Sequence, residues 1–180
     1  MSKTEIRVAG FGGQGVVLAG VLLGAAAVIY DDKHAVQSQS YGAASRGGGA
    51  RSEVIISDEP IMYPSVTKPD IMVAMSAEAI AKYVDDMKSG AILVVDEDLV
   101  KDAKRDDCRL YKVPASRIAV NELGRGMVAN IVMAGFLVGL TKIVSERAME
   151  EAIRTNVPKG TEEINLKAFT RGLELGKQAA

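Results

Sequence analysis

Gly10, Gly12 and Gly15 satisfy the spacing G-x-G-x-x-G, and Gly13 and Gln14 complete the run Gly12-Gly13-Gln14-Gly15. Glycines in this arrangement permit positive φ, let a phosphate approach the backbone, and leave the amides of a following helix open to an anion. The pattern has meaning only between a strand and a helix. That is its context here, because Ile6-Arg7-Val8-Ala9 reads as a strand and a long apolar segment runs on to Ile29. A second glycine cluster, Arg46-Gly47-Gly48-Gly49, follows Tyr41-Gly42. Its guanidinium could grip an anion, a partner's carboxylate or a backbone carbonyl. Gly10, Gly12, Gly13, Gln14, Gly15 and Arg46 are therefore the candidate anion- or partner-binding residues, with Gln14 offering a side-chain amide at the mouth. The alternative is a close-packed corner that holds no ligand.

A dinucleotide site needs a further carboxylate roughly twenty residues on, at the tip of the second strand. The second predicted strand, Ala35 to Ser38, runs into Gln39, and Asp31 and Asp32 fall in the turn before it. A free-standing nucleotide-binding oxidoreductase of Rossmann type thus lacks one of its parts. Cys108 and His34 are the only cysteine and histidine, too few ligands for a zinc or iron–sulfur site. The sequence has no Gly-Asp-Gly motif for a diphosphate-bound metal. His34 reads as a solvated turn residue, Cys108 as an unassigned thiol, and Asp96-Glu97-Asp98 as a solvated helix start.

These residues need a scaffold, and the apolar pattern supplies one. Strands are expected at Ile6 to Ala9, Ala35 to Ser38, Arg51 to Ser57, Ile71 to Met75, Ala91 to Val95 and Leu110 to Val113, with Arg51 to Ser57 forming a hairpin with Ile61-Met62-Tyr63. Helices are expected after the glycine turn, over Ala77 to Met87 behind a Ser76 cap, over Ala115 to Leu123, and through the C-terminal third. The alternation predicts an α/β fold: one domain over residues 1–180, an open, largely parallel, Rossmann-like sheet with flanking helices and a helical C-terminal third. Met127 to Leu140 is apolar around nearly its whole circumference, interrupted by Asn130, and is too short to span a bilayer. It is expected to pack between the sheet and another subunit.

Composition narrows the function classes. The net charge is −1 and aromatic residues are 4 %, so neither a basic stripe nor a stacking platform for nucleic acid is present. The first residues enter a strand at once, with no leader pattern, which predicts a cytoplasmic protein without membrane attachment.

Several segments jointly carry a resemblance: the Gly10 to Gly15 turn, Ser40-Tyr41-Gly42 with Arg46-Gly47-Gly48, Ser52-Glu53-Val54-Ile55-Ile56-Ser57, Tyr63-Pro64-Ser65-Val66, Lys68-Pro69-Asp70, and Asn165, Ala168 and Gly172. Together they resemble the gamma subunit of 2-oxoacid:ferredoxin oxidoreductases over almost the whole chain, and the Ser-Tyr-Gly to Arg-Gly-Gly segment resembles the 2-oxoglutarate branch. Ala43-Ala44-Ser45 departs from the proline or glutamate expected between those motifs. The resemblance implies a non-catalytic subunit of a complex that decarboxylates a 2-oxoacid oxidatively, reduces ferredoxin and forms an acyl-coenzyme A. It implies alpha-, beta- and delta-type partner subunits, which house thiamine diphosphate, magnesium and iron–sulfur clusters.

Overall fold

Each central strand divides its side chains between two helical layers, as a period of two requires. Ile6, Val8, Ile71, Val73, Ile92 and Val94 point into a large core, while Ala9, Met72, Ala74, Leu93 and Val95 point into a smaller one. A computed structural model describes residues 3–42, 48–103 and 105–180. The strands are β1 (Thr4–Phe11), β2 (His34–Tyr41), β3 (Gly49–Ser57), β4 (Ile71–Ala74), β5 (Ile92–Asp96) and β6 (Arg109–Val113), and they form one sheet in the order β2-β3-β1-β4-β5-β6. The β1–β4, β4–β5 and β5–β6 pairings are parallel, and β3 runs antiparallel to both β1 and β2. All six expected strands are present and the mostly parallel α/β class holds. The expected hairpin does not. β3 spends its hydrogen bonds on β1 and β2, and Ile61 to Tyr63 form no strand.

Helix α1 (Val16–Ala25) leads into a π-helical turn at Ala26–Tyr30, and α2 (Ala77–Tyr83) is capped by Ser76, whose Oγ accepts from Ala79 N at 3.1 Å. The remaining helices are α3 (Ala115–Arg117), α4 (Ala129–Thr141), α5 (Glu146–Asn156) and α6 (Glu162–Ala179). Helix α2 covers the smaller core, whereas α1, α4, α5 and α6 cover the larger one.

Helix α4 is buried along almost its whole length, but its outer cover is α6 of the same chain and not a second subunit. Gly135 and Gly139 face Gly172 and Gly176, and a Cβ at any of the four would overlap the opposing backbone. Absent side chains let the two helix axes approach so closely that α4 is enclosed without outside help. Among the described residues, no helix is long and apolar enough to cross a membrane.

Asp96 differs from its expected solvated setting. At the end of β5 it is fully buried and accepts from Ser116 Oγ at 2.6 Å, Ser116 N at 3.1 Å and Asp98 N at 3.1 Å. Burial raises its pKa, opposed by the Ser116 and Asp98 hydrogen bonds. It ties β5 to the start of α3, while Glu97 and Asp98 pair with Arg117.

Candidate functional site

The glycine turn lies at the carboxyl end of β1, and Gly48 and the start of β3 lie at the same end because β3 runs antiparallel to β1. Gly12 N donates to Gly48 O at 2.9 Å, so the two glycine segments singled out in the sequence stand side by side. Arg46 and Gly47 fall outside the described residues.

The four turn glycines serve different needs. Gly10 is a packing position, since a Cβ there would collide with Gln14 Oε1 and press on Met75. Gly15 caps α1 in the left-handed region, at φ 73°, and a Cβ would overlap the Asn130 amide. Gly13 has φ 95° with nothing within 4 Å of an added Cβ, a conformational requirement alone. Gly12 has neither requirement: its φ is not in the left-handed region, and the nearest atom to an added Cβ is Gly48 O at 3.6 Å. At Gly12 and Gly13 the bare backbone faces outward.

Gln14 does not offer a free amide at the mouth. Its Oε1 accepts from Phe11 N at 2.6 Å and its Nε2 donates to Met75 O at 2.8 Å. The side chain bridges the ends of β1 and β4, filling the crevice in which a Rossmann fold would seat its nucleotide. The strand order opposes that reading as well, because β3 intervenes between β1 and β2 and β2 ends in Gln39, Ser40 and Tyr41 without a carboxylate. Asp31 is engaged elsewhere, accepting from Ser145 N and Oγ, each at 2.6 Å, at the start of α5.

Tertiary structure adds residues to the turn that local spacing does not reveal. A cavity of about 140 Å³ opens beside Gly13 and Gly15, with Arg125, Asn130, Thr161 and Asn165 in its lining. Arg125 has no carboxylate within 4 Å among the described residues. Its only local signal is the pair of flanking glycines, Gly124 and Gly126. Asn130 Nδ2 donates to Gly15 O at 2.9 Å, and among the described residues its buried Oδ1 has no partner. The amides of Gly15 to Leu18 also lack carbonyl partners within the helix, because the first helical bond is Ala19 N to Gly15 O at 3.0 Å. The corner therefore presents backbone donors, a guanidinium and a half-satisfied buried amide. The amides and the guanidinium match an anionic or carbonyl-bearing ligand, whereas the open Asn130 Oδ1 is an acceptor and calls for a donor. They do not suit a metal, and the described residues contain no cluster of three His, Cys, Asp or Glu side chains.

A model of the pyruvate ferredoxin/flavodoxin oxidoreductase family matches residues 5–175. The chain is 56 % identical over 178 residues to the 2-oxoglutarate synthase subunit KorC of Methanocaldococcus jannaschii, covering 98 % of this chain and 95 % of the relative. Among solved structures, it is similar to the gamma subunit of the keto/oxoacid ferredoxin oxidoreductase of Geobacter sulfurreducens, with a TM-score of 0.87, 45 % identity, and coverage of 98 % and 99 % of the two chains. It is also similar to a chain of the 2-oxoglutarate:ferredoxin oxidoreductase of Magnetococcus marinus, solved with 2-oxoglutarate, coenzyme A and succinyl-CoA bound. There the TM-score is 0.88 and the identity 27 %, and the match covers 99 % of this chain but 32 % of that one.

Proposed function

The chain belongs to the pyruvate ferredoxin/flavodoxin oxidoreductase family as a subunit of a 2-oxoacid:ferredoxin oxidoreductase, and from that premise we propose that it is the gamma subunit of a 2-oxoglutarate-oxidising complex whose glycine corner receives an anionic group. That group is the diphosphate of coenzyme A or a carboxylate of a companion subunit, and a companion's carbonyl would serve the same donors as a neutral acceptor. The observation that carries the site is the Gly12–Gly48 hydrogen bond, which unites two glycine segments at the carboxyl end of β1 while Gly12 and Gly13 keep their Cα atoms bare. Arg125 supports the reading as a cation at the same mouth, and Arg46 belongs to the same loop as Gly48.

Thiamine diphosphate, magnesium and iron–sulfur clusters belong to alpha-, beta- and delta-type companions in the cytoplasm. One cysteine in the sequence cannot ligate a cluster, so no electron-transfer step is assigned to this chain. It acts as one domain that positions substrate or partner, and ferredoxin and coenzyme A reach it through the complex.

Affinity capture of the chain from its native cell should return a subunit carrying thiamine diphosphate and one carrying iron–sulfur clusters. Within the purified complex, Arg125→Ala and Arg46→Ala should each raise the Michaelis constant for coenzyme A several-fold or loosen assembly. Normal assembly together with an unchanged Michaelis constant in both variants would reduce the glycine turn to a packing device.

A further inference from the structure

From Val16 to Ile29 the chain carries no polar side chain, and a helix apolar on all sides is ordinarily buried on all sides. Here burial takes in the sides that meet the sheet, α4 and α5, where Val16, Ala19, Leu22, Leu23, Ala26 and Ala27 enter the core. Val17, Val21 and Gly24 are only partly buried, and in the π-helical turn Val28 is 50 % and Ile29 64 % exposed. Positions 17, 21, 24 and 28 recur by fours and threes, so they form one stripe along the helix. The stripe borders β2, because a Cβ at Gly24 would stand 3.9 Å from Gln37 Cβ.

β2 is an edge of the sheet, and its eight residues contain no Lys, Arg, Asp, Glu or Pro. Exposed edges are normally guarded by such residues or kept short. The opposite edge obeys that rule, since β6 has five residues and carries Arg109 and Lys112. The phase of the β2–β3 ladder shows what β2 leaves open. Gly42 N donates to Gly49 O at 2.6 Å, and the register continues from Tyr41↔Ala50. Antiparallel ladders alternate bonded and non-bonded pairs, so Ser40, Ser38 and Val36 bond to β3. Ala35, Gln37, Gln39 and Tyr41 turn their N–H and C=O groups outward.

A second copy of the chain fits this edge poorly. Helix α1 sits over β3, since a Cβ at Gly20 would strike Ser52 and Val54. Two copies joined β2 to β2 would hold their β3 strands three spacings apart, roughly 14 Å. Packed helices need axes about 8–10 Å apart, so the two apolar stripes would not meet. A single strand from another chain would lie about 4.8 Å beyond β2, within reach of the stripe for large side chains. We propose that β2 and the α1 stripe receive an extended segment of a companion subunit, hydrogen-bonded to Ala35, Gln37, Gln39 and Tyr41, with large uncharged apolar side chains at alternate positions against Val17, Val21 and Val28. Beyond His34 at the start of β2, neither element carries an acidic or basic side chain, which selects a segment that is neutral along Ala35 to Tyr41, because a charge buried there would find no counter-charge. The surface rests on the chain's membership of a complex and not on the ligand of the glycine corner.

Hydrogen exchange on the purified complex and on the full chain alone tests this. The amides of Ala35, Gln37, Gln39 and Tyr41 should exchange at least about tenfold more slowly in the complex only, with Ser38 slow in both. Equal exchange in the two samples would overturn the proposal while leaving the subunit assignment intact. Slow exchange in the chain alone, accompanied by dimer in sedimentation, would replace the companion with a second copy. In parallel, Gln39→Pro and Val28→Lys should retain the urea midpoint of the free chain and lose companion subunits on co-purification. Full assembly of both variants would equally overturn it.

Discussion

Asn130 stands where a Gly15 side chain would stand, and its Nδ2 donates to Gly15 O at 2.9 Å. The two residues lock the start of α1 to the start of α4 across 115 positions of sequence. Gly15→Ala should lower stability by about 1–3 kcal/mol, from a left-handed backbone and the overlap with the amide. Asn130→Ala removes the overlap, so Gly15→Ala should cost less in the Asn130→Ala background than in the wild type. Urea denaturation of the two single variants and the double variant measures the coupling. Strict additivity would refute the contact.

Glycines of two kinds should respond differently to alanine. At Gly172 a Cβ would overlap Val132 O and crowd Phe136 N, all of it backbone. Relief requires α4 and α6 to separate, and Gly172→Ala should cost about 3 kcal/mol or more. Gly160 has φ 84° with open space around it, so Gly160→Ala should cost about 1–2 kcal/mol from backbone strain alone. Thermal melting of both variants gives the order.

Arg7, 3 % exposed in the middle of β1, is held by Glu53 at 2.8 Å and by Asp86 at 2.7 Å, with its guanidinium carbon 5.1 Å from the centre of the Tyr83 ring. Glu53 is buried, whereas Asp86 is half exposed. Glu53→Ala leaves a buried guanidinium short of its buried partner, which accepts from both Nε and Nη2, and should cost about 3–5 kcal/mol. Asp86→Ala should cost about 1 kcal/mol or less, because water can replace its carboxylate. Similar losses in both would show that the pair is not asymmetric.

Asp96 gives stability an unusual pH slope. Its pKa in the folded chain lies above the ordinary 3.8, chiefly through burial. The folded chain therefore keeps this proton at a pH where the unfolded chain has lost it. Its contribution is fully present below the ordinary carboxylate value and is lost as pH rises through the folded value. Glu122 and Glu163 run the other way, since Arg171 and Lys167 lower their pKa values. The stability difference between wild type and Asp96→Ala, followed by urea titration from acid to neutral pH, should fall as pH rises. A difference that grew over that interval would place the charged form as the favoured one.

The strands, the class of fold and the glycine turn were legible in the sequence because each rests on local chemistry. Five-residue apolar runs bounded by turn residues, such as Ile71 to Met75 and Ala91 to Val95, read as strands covered on both faces, and Gly10 to Gly15 falls between a strand and a helix. The family motifs were legible for the same reason, since each is a short string of neighbouring residues. Partnership across the sequence was not. Nothing near Arg51 to Ser57 says that it joins β1 to β2 instead of folding back on Ile61 to Tyr63. That choice depends on the long-range register Arg7↔Glu53, which satisfies a buried charge that local pattern leaves unpaired. Gln14 reads locally as a free amide, and only the approach of Met75 at the end of β4 gives its second end a partner. Arg125, Asn130, Thr161 and Asn165 reach the glycine corner because α4 and α6 interlock through four glycines. Spacing within each helix records those glycines, but only the assembled fold decides that they face one another, because close backbone packing is a property of two helices and belongs to neither sequence segment alone.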